Sequence, residues 1–128
     1  MDREKLLDLY KKYELEKSDV YKHQHYVIIT RQGIEKIAAK ENIAINYEVV
    51  KCEPSFAVVK AYAKKEEVQI ETFGSALKGA NYKDGNCNSW YVMEMAEKRA
   101  LSRSVLKLTG FYELGVFGED ESDDFKRK

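Results

Sequence analysis

The sequence predicts an α+β protein in which an antiparallel β-meander of three strands is packed by helices. Two observations predict this class. Three successive segments between residues 44 and 74 are rich in β-branched and aromatic residues, and two of them alternate in character. Segments before and after them show helical periodicity. The predicted order is α-β-α-β-β-β-α, with one domain over residues 1–117 and a disordered acidic tail over residues 118–128.

The part of the chain before the meander predicts a helix, a strand and a second helix. "DREKLLDLYKKYEL" carries apolar residues at helical spacing, namely Leu6, Leu9, Tyr10 and Tyr13. "YVIIT", Tyr26–Thr30, is a short apolar run with β-branched residues, which is typical of a strand. "RQGIEKIAAKENI" then places Ile34, Ile37 and Ala38 on one face of a helix. Thr30 precedes this helix and suits its N-cap.

The three strands of the meander differ in pattern. "INYEVVKCE" is rich in β-branched and aromatic residues and stops at Pro54. "SFAVVKAYAKK" alternates, so that one face carries only small residues and valine: Ala57, Val59, Ala61 and Ala63. "EVQIETFG" alternates as well, and "KKEE" between these two segments predicts a hairpin turn. The small face of the middle strand indicates that a helix packs closely against it.

A long helix is predicted from Trp90 to Thr109, with Gly110 as a left-handed terminator. Its apolar residues share a broad face: Met93, Ala100, Leu101, Val105 and Leu108. On the opposite side three cations recur every four residues, namely Arg99, Arg103 and Lys107. Glu97 falls on the apolar side, so either it accepts hydrogen bonds from neighbouring backbone or the face is rotated.

Composition bounds the class of protein. Charged residues make up 34% of the chain and apolar residues 44%, and no apolar run reaches the roughly 18 residues of a membrane span. The N-terminus lacks the apolar core of a secretory signal, and Cys52 and Cys87 lack a disulfide-scaffold spacing, so we expect free thiols and a cytoplasmic location. Residues 111–128 hold three basic and six acidic residues and carry −3, which leaves +3 on residues 1–110.

The common catalytic motifs are not recognisable in the sequence. "KHQH" places His23 and His25 on one side of an extended segment, but no cysteine or acidic cluster lies nearby in sequence to complete a metal site. No base is identifiable for a cysteine nucleophile, and "GSALKG" lacks the spacing of a phosphate-binding loop. A metal-dependent nuclease of this order needs an Asp in one strand and Glu and Lys in the next, a set that the strands lack. We therefore expect a non-catalytic protein without cofactor or metal.

The cations of the long helix are candidates for contact with a phosphate backbone. Arg99, Arg103 and Lys107 form a row about 12 Å long at 1.5 Å per residue, which can meet two or three phosphates. Further candidates lie on the middle strand and in the loop after the meander: Lys60, Lys78, Lys83 and Tyr82. Cations beside aromatic residues are typical of single-strand binding, because every base has a face that can stack. The alternative interpretation of the row is a solvated helix face.

A longer pattern adds a family resemblance. "FGSALKG" followed by "YVMEMAEKRALSRSVLKLTGFYELGVFGEDESDDF" resembles the corresponding part of phage single-strand annealing proteins, whose superfamily includes the essential-recombination-function proteins and the eukaryotic strand-annealing mediators. The resemblance covers residues 26–125 by topology and residues 96–110 by motif. It implies a non-catalytic protein that binds single-stranded DNA in a groove, anneals complementary strands and forms homo-oligomers. It also implies groove cations at Lys98, Arg99 and Arg103, with the meander and Gly74–Gly79 as the groove wall.

Two other interpretations remain open. A double-stranded RNA-binding domain shares the helix-strand-strand-strand-helix order, but it carries lysines at the start of its last helix, where this chain reads "SWYVMEMAE". A small phage accessory protein that binds another protein through its sheet or its acidic tail is the second. The tail segment "GEDESDDF" is a solvated end, a nucleic-acid mimic that covers the basic row, or a docking segment anchored by Phe125.

Overall fold

The computed structural model describes residues 3–23, 26–79, 85 and 91–119. Within these residues the chain forms three α-helices, which are α1 (Arg3–Lys12), α2 (Arg31–Lys40) and α3 (Val92–Thr109). A small sheet contains β1 (Val20–His23), β2 (Tyr26–Ile29) and β6 (Val116–Gly118). The meander consists of β3 (Ala44–Glu53), β4 (Phe56–Lys65) and β5 (Val68–Leu77). The predicted α+β class and the predicted meander are confirmed.

The meander is antiparallel, with β4 between β3 and β5. Pro54 follows the last residue of β3, as predicted, because proline cannot donate to the ladder. The hairpin between β4 and β5 is a two-residue loop, Glu66–Glu67, with Lys65 paired to Val68. Glu66 takes the left-handed conformation at φ 55° that such a tight connection requires. The hairpin predicted at "KKEE" is therefore confirmed.

Helix α3 covers one face of the meander, as the small residues of β4 predicted. The side chains on that face of β4 are all buried, namely Ala57, Val59, Ala61 and Ala63. Gly74 of β5 lies so close to the helix that an added Cβ would be 2.0 Å from the carbonyl oxygen of Ala96. No described helix or strand packs on the opposite face of the meander, which we call the open face.

The small sheet is the part of the fold that the prediction missed. β1 is four residues long and β6 only three, so neither has enough length for a periodic pattern. β6 pairs with β2 in parallel, which requires the chain to return after α3. Gly118, assigned to the tail by the prediction, is buried against Ser102 of α3, and Glu119 accepts a hydrogen bond from the backbone N–H of Arg31 at 3.1 Å. The remainder of the predicted tail lies outside the described residues.

Two apolar clusters share α3. The first lies between α1, α2, the small sheet and the C-terminal half of α3, and contains Leu6, Tyr13, Val27, Ile29, Ile34, Ile37, Val105, Leu106, Phe111 and Val116. The second lies between the meander and the N-terminal half of α3, and contains Ala57, Val59, Ala76, Val92 and Ala96. Helix α3 is therefore the central element that joins the two sheets.

The helix ends follow the predicted chemistry. Thr30 caps α2, since its Oγ1 accepts a hydrogen bond from the N–H of Gly33 at 3.2 Å. Gly110 ends α3 at φ 87°, a left-handed conformation that favours glycine. α3 begins at Val92, two residues later than predicted. Among the described helices, none has the length and apolar character needed to cross a bilayer.

A buried carboxylate fixes α2 to the segment before β1. Asp19 accepts hydrogen bonds at Oδ2 from the N–H of Glu16 at 2.9 Å and from Nζ of Lys36 at 2.6 Å. Burial acts to raise the pKa of Asp19, but these two hydrogen bonds and the charge of Lys36 outweigh it and lower the pKa below the ordinary carboxyl value. Asp19 is therefore ionised in the folded protein at neutral pH.

Candidate nucleic-acid interface

Arg99 does not lie opposite the buried face of α3, so its predicted position on the helix, where it would contact phosphate, is wrong. Its side chain is buried, with 2% of the residue exposed, and its Nη1 donates a hydrogen bond to the carbonyl of Ser75 on β5 at 2.7 Å. Arg99 follows Val92 by seven residues and Ala96 by three, so all three share the helix face that packs on the meander. The guanidinium is always charged and presents donors in a rigid fork, so it remains hydrogen-bonded when buried. Arg99 therefore ties α3 to β5.

The buried face of α3 is rotated relative to the predicted one, and this rotation also explains the position of Glu97. Its side chain is exposed and lies near Tyr47 of β3 rather than in the core. Burial, together with the negative charge of Glu97, raises the pKa of Tyr47 to about 12. Of the two explanations for Glu97 that the sequence allowed, the rotated face is the correct one.

Arg103 lies one helical turn after Arg99 and repeats its contact. Its Nη1 donates to the carbonyl of Phe73 at 2.7 Å, two residues along β5 from the carbonyl that Arg99 uses. Carbonyls two residues apart in a strand point to the same side, so both arginines approach β5 from one side. Unlike Arg99, Arg103 is only partly buried. Its guanidinium therefore contacts β5 and is also partly exposed to solvent.

Lys60 and Phe73 are neighbours on the open face. They are paired in the register of β4 and β5. Nζ of Lys60 lies 5.5 Å from the ring centroid of Phe73 and 5.0 Å from that of Tyr62, within the range of cation–π interactions. Nζ also lies 3.5 Å from a carboxylate oxygen of Glu71. Phe73 is 49% exposed, which is unusual for a phenylalanine on a strand and leaves a ring available for stacking.

The neighbours of Lys60 stabilise its protonated form. Burial acts to lower the pKa of Lys60, but the hydrogen bond with Tyr62 and the charge of Glu71 outweigh that effect and raise the pKa. The ammonium is therefore present across the whole physiological range.

Lys107 continues the cations of α3 towards a third aromatic ring. It lies one turn after Arg103, about 6 Å along the helix axis at 1.5 Å per residue. Its Nζ is 5.2 Å from the ring centroid of Tyr112. The ring of Tyr112 in turn contacts Phe117 edge to face, with centroids 6.2 Å apart. Cations thus lie beside aromatic rings on the meander and at the C-terminal end of α3, and we call the set Lys60, Phe73, Arg103, Lys107 and Tyr112 the cation–aromatic strip.

Lys98 and Lys78, two further predicted site residues that the structure describes, do not join this strip. Lys98 is five residues from Arg103, which places it about 140° away around the helix. Lys78 follows the end of β5, five residues beyond Phe73, and its backbone N–H donates to the carbonyl of Ser55 at 2.7 Å. Two of the predicted site residues, Tyr82 and Lys83, lie outside the described residues, and so does Trp90, the predicted start of the long helix.

His23 belongs to no metal site among the residues that the structure describes. His23 is partly buried on β1 opposite Tyr26. His25 is not among the described residues. No group of three or more His, Cys, Asp or Glu side chains is arranged to hold a metal ion in residues 3–23, 26–79, 85 and 91–119.

Spacing and charge in the sequence identify the three cations of the strip but neither of its two rings. Phe73 stands on the polar side of an alternating strand, and a large aromatic residue at such a position is the signal that was available. Tyr112 carried no such signal, because its place beside Lys107 depends on the turn that follows α3.

Comparison of the chain with known protein families, with characterised proteins and with solved structures finds no match.

Proposed function

We propose that this protein is a non-catalytic, cytoplasmic binding protein for single-stranded DNA and that the cation–aromatic strip is its binding surface. The observation that carries the proposal is the environment of Phe73. Its half-exposed ring has Lys60 above it, and its carbonyl is held by Arg103. A base stacks on an exposed ring without regard to sequence, and adjacent cations neutralise the flanking phosphates.

This mode of binding suits strand annealing, the activity that the family resemblance implies. Stacking on Phe73 uses the face of a base and leaves its Watson–Crick edge available to a complementary strand. The proposed surface differs from the one that the resemblance implies. Arg99 serves the contact between α3 and β5, and Lys98 is turned away, so of the three implied groove cations only Arg103 belongs to the strip.

The proposal is tested by fluorescence anisotropy of a labelled oligothymidine at several salt concentrations. Phe73→Leu keeps an apolar side chain but removes the aromatic face, and we expect it to weaken binding about tenfold, since stacking contributes roughly 1–3 kcal/mol per base. Lys60→Ala should reduce the slope of log K against log[salt] by about 0.7, the value for one phosphate contact on a single strand.

Lys51→Ala is the matched control for Lys60→Ala. Lys51 also lies on the open face, on β3, with its Nζ 3.5 Å from Glu53, but no cation–π contact joins it to a described ring, and it lies outside the strip. We expect it to bind as the wild type does. Absence of binding by the wild type at low salt contradicts the proposal, and so does binding that Phe73→Leu and Lys60→Ala leave unchanged.

A second candidate function is recognition of a protein partner through the open face. It is favoured by the local pairing of charges there, because Lys60 lies beside Glu71 and the hydroxyl of Tyr62 donates to Glu48 at 2.8 Å. A face with balanced charges and half-exposed apolar side chains suits a protein surface as well. Salt distinguishes the two functions, since phosphate binding weakens steeply with salt and apolar contact does not.

A further inference from the structure

The two edge strands of the meander, β5 and β3, differ in how much of their outer side is in contact with other elements. At the β5 edge, the guanidinium groups of Arg99 and Arg103 bind carbonyls of the strand, and α3 packs against it. At the β3 edge, no described strand pairs with the outer side. Nine of the ten β3 residues are exposed, so its outer row of N–H and C=O groups is accessible to another chain.

β3 also exposes apolar side chains on the side of the sheet that faces α3. Ile45, Tyr47 and Val49 are paired with buried residues of β4 and so share the inner face. The helix covers β4 and β5 but hardly reaches β3, and Tyr47 remains 40% exposed and Val49 58% exposed. A long edge strand with exposed apolar residues is a template for pairing with another strand.

We propose that two copies of this chain pair through β3 in antiparallel orientation and join their meanders into one continuous sheet. The register follows from the strand itself. A bulge between Val49 and Lys51 interrupts β3, so the regular stretch is 44–49. Antiparallel pairing of that stretch with itself is centred on Tyr47, which then faces Tyr47 of the second copy.

This register is complementary on both faces. On the inner face, Ile45 lies opposite Val49 of the second copy, so the three apolar residues of each copy form one cluster between the two α3 helices. On the open face, Asn46 lies opposite Glu48 of the second copy, and the amide of an asparagine can donate a hydrogen bond to a carboxylate. Within β3 no like charges are directly opposed, because Lys51 and Glu53 lie beyond the bulge; Glu97 of α3 lies beside Tyr47 in each copy.

The occupied carbonyls of β5 bear on the symmetry of the assembly. If both edges were open along their full length, β3 of one copy could pair with β5 of the next, and the contact would propagate into a ring or filament. The arginines bind the carbonyls of Phe73 and Ser75 in the C-terminal half of β5, so another strand cannot pair along the whole of that edge. The pairing that uses a full edge is β3 with β3, which is two-fold symmetric and stops at a dimer. This inference is independent of the proposed nucleic-acid binding.

Sedimentation velocity over a range of protein concentrations tests the dimer. We expect a monomer–dimer equilibrium in the wild type. Val49→Lys places a cation in the apolar cluster and should shift the equilibrium to monomer. Val68→Lys is the matched control, because Val68 is a β-strand valine of the same 58% exposure located on β5, and it should leave the dimer unchanged. Circular dichroism confirms that both variants are folded.

Disulfide trapping tests the register. In a chain that carries Cys52→Ser and Cys87→Ser, Tyr47→Cys places the two thiols opposite each other across the two-fold axis, and mild oxidation should yield a covalent dimer. Asn46→Cys in the same background places the thiol opposite Glu48 and should yield far less. A monomer at every concentration overturns the proposal, as do equal effects of Val49→Lys and Val68→Lys, equal trapping at the two positions, or assemblies larger than a dimer that Val49→Lys disrupts.

Discussion

The two halves of α3 pack by opposite means. The N-terminal half meets the meander through alanines and Gly74, so that backbone approaches backbone. The C-terminal half meets α1, α2 and the small sheet through Val105 and Leu106, which fill a cluster of isoleucines and aromatic rings. In the first region stability depends on the absence of side chains, and in the second it depends on their volume.

The close packing of the N-terminal half of α3 determines where the arginines of the candidate site lie. Because the helix lies so close to β5, Arg99 and Arg103 reach the strand carbonyls instead of extending into solvent. Arg99 is covered, while Arg103 emerges beside Phe73 at the edge of the same contact. Lys107, one helical turn after Arg103, joins the strip beside Tyr112. A close helix–strand contact thus buries part of the basic row and leaves the remainder at least partly exposed.

The largest effect is expected for Gly74→Ala. The added Cβ would approach the Ala96 carbonyl oxygen to 2.0 Å and the Ala100 nitrogen to 2.6 Å, and because both are backbone atoms of α3, the helix must move. We expect the free energy of unfolding to fall by about 3 kcal/mol, at the upper end of overpacking effects. Urea denaturation measures it.

Gly110→Ala is the control for the conformational cost of replacing a glycine. At Gly110 the added Cβ meets nothing within 4 Å, but the φ of 87° disfavours alanine. A loss of about 1 kcal/mol is expected there. If Gly74→Ala costs no more than Gly110→Ala, the close approach between β5 and α3 is absent.

A smaller loss of stability is expected when Arg99 or Arg103 is replaced, and the loss should differ between the two. Arg99→Met removes a buried charge-assisted hydrogen bond and leaves the Ser75 carbonyl without that donor, so we expect a loss of about 2 kcal/mol in stability. Arg103→Met should cost less than about 1 kcal/mol, because water can replace the donor at its partly exposed site. Thermal denaturation gives the stabilities, and oligothymidine anisotropy should show weaker binding for Arg103→Met. Equal losses of stability in the two variants would contradict the different roles.

The smallest effect concerns acid sensitivity on the α2 side of the molecule. The lowered pKa of Asp19 means that its stabilisation is fully present above the ordinary carboxyl pKa and is lost as the pH falls through the lowered value. Asp19→Asn should therefore cost about 1 kcal/mol at neutral pH, through the loss of a charge-assisted hydrogen bond. Its difference from the wild type should shrink below about pH 4.

Denaturation at a series of pH values checks this prediction. Lys36→Met removes the ammonium that binds Asp19 and should reproduce the loss at neutral pH. A difference between wild type and Asp19→Asn that stays constant into acid would show that the charge of Asp19 does not contribute.

Much of the fold could be predicted because its signals are local. The alternation in β4, the cap at Thr30 and the terminator at Gly110 each depend on a few neighbouring residues. β1 and β6 were missed because they are short, and their pairing with β2 is decided far along the chain. In the candidate site, Lys60, Arg103 and Lys107 were identified from spacing and charge, whereas the rings beside Lys60 and Lys107 depend on strand register and on the turn after α3.

The sequence by itself determined the α+β class, the meander and the presence of a helix on the alanine face of β4, since periodicity and turn chemistry are local properties. The tertiary structure decided which cations are buried and which reach the surface. A helical repeat states which residues share a face, but not whether that face meets solvent or a strand. The small residues at Gly74 and Ala96 let α3 approach β5 closely, and that approach buried Arg99 while it left Arg103 beside Phe73.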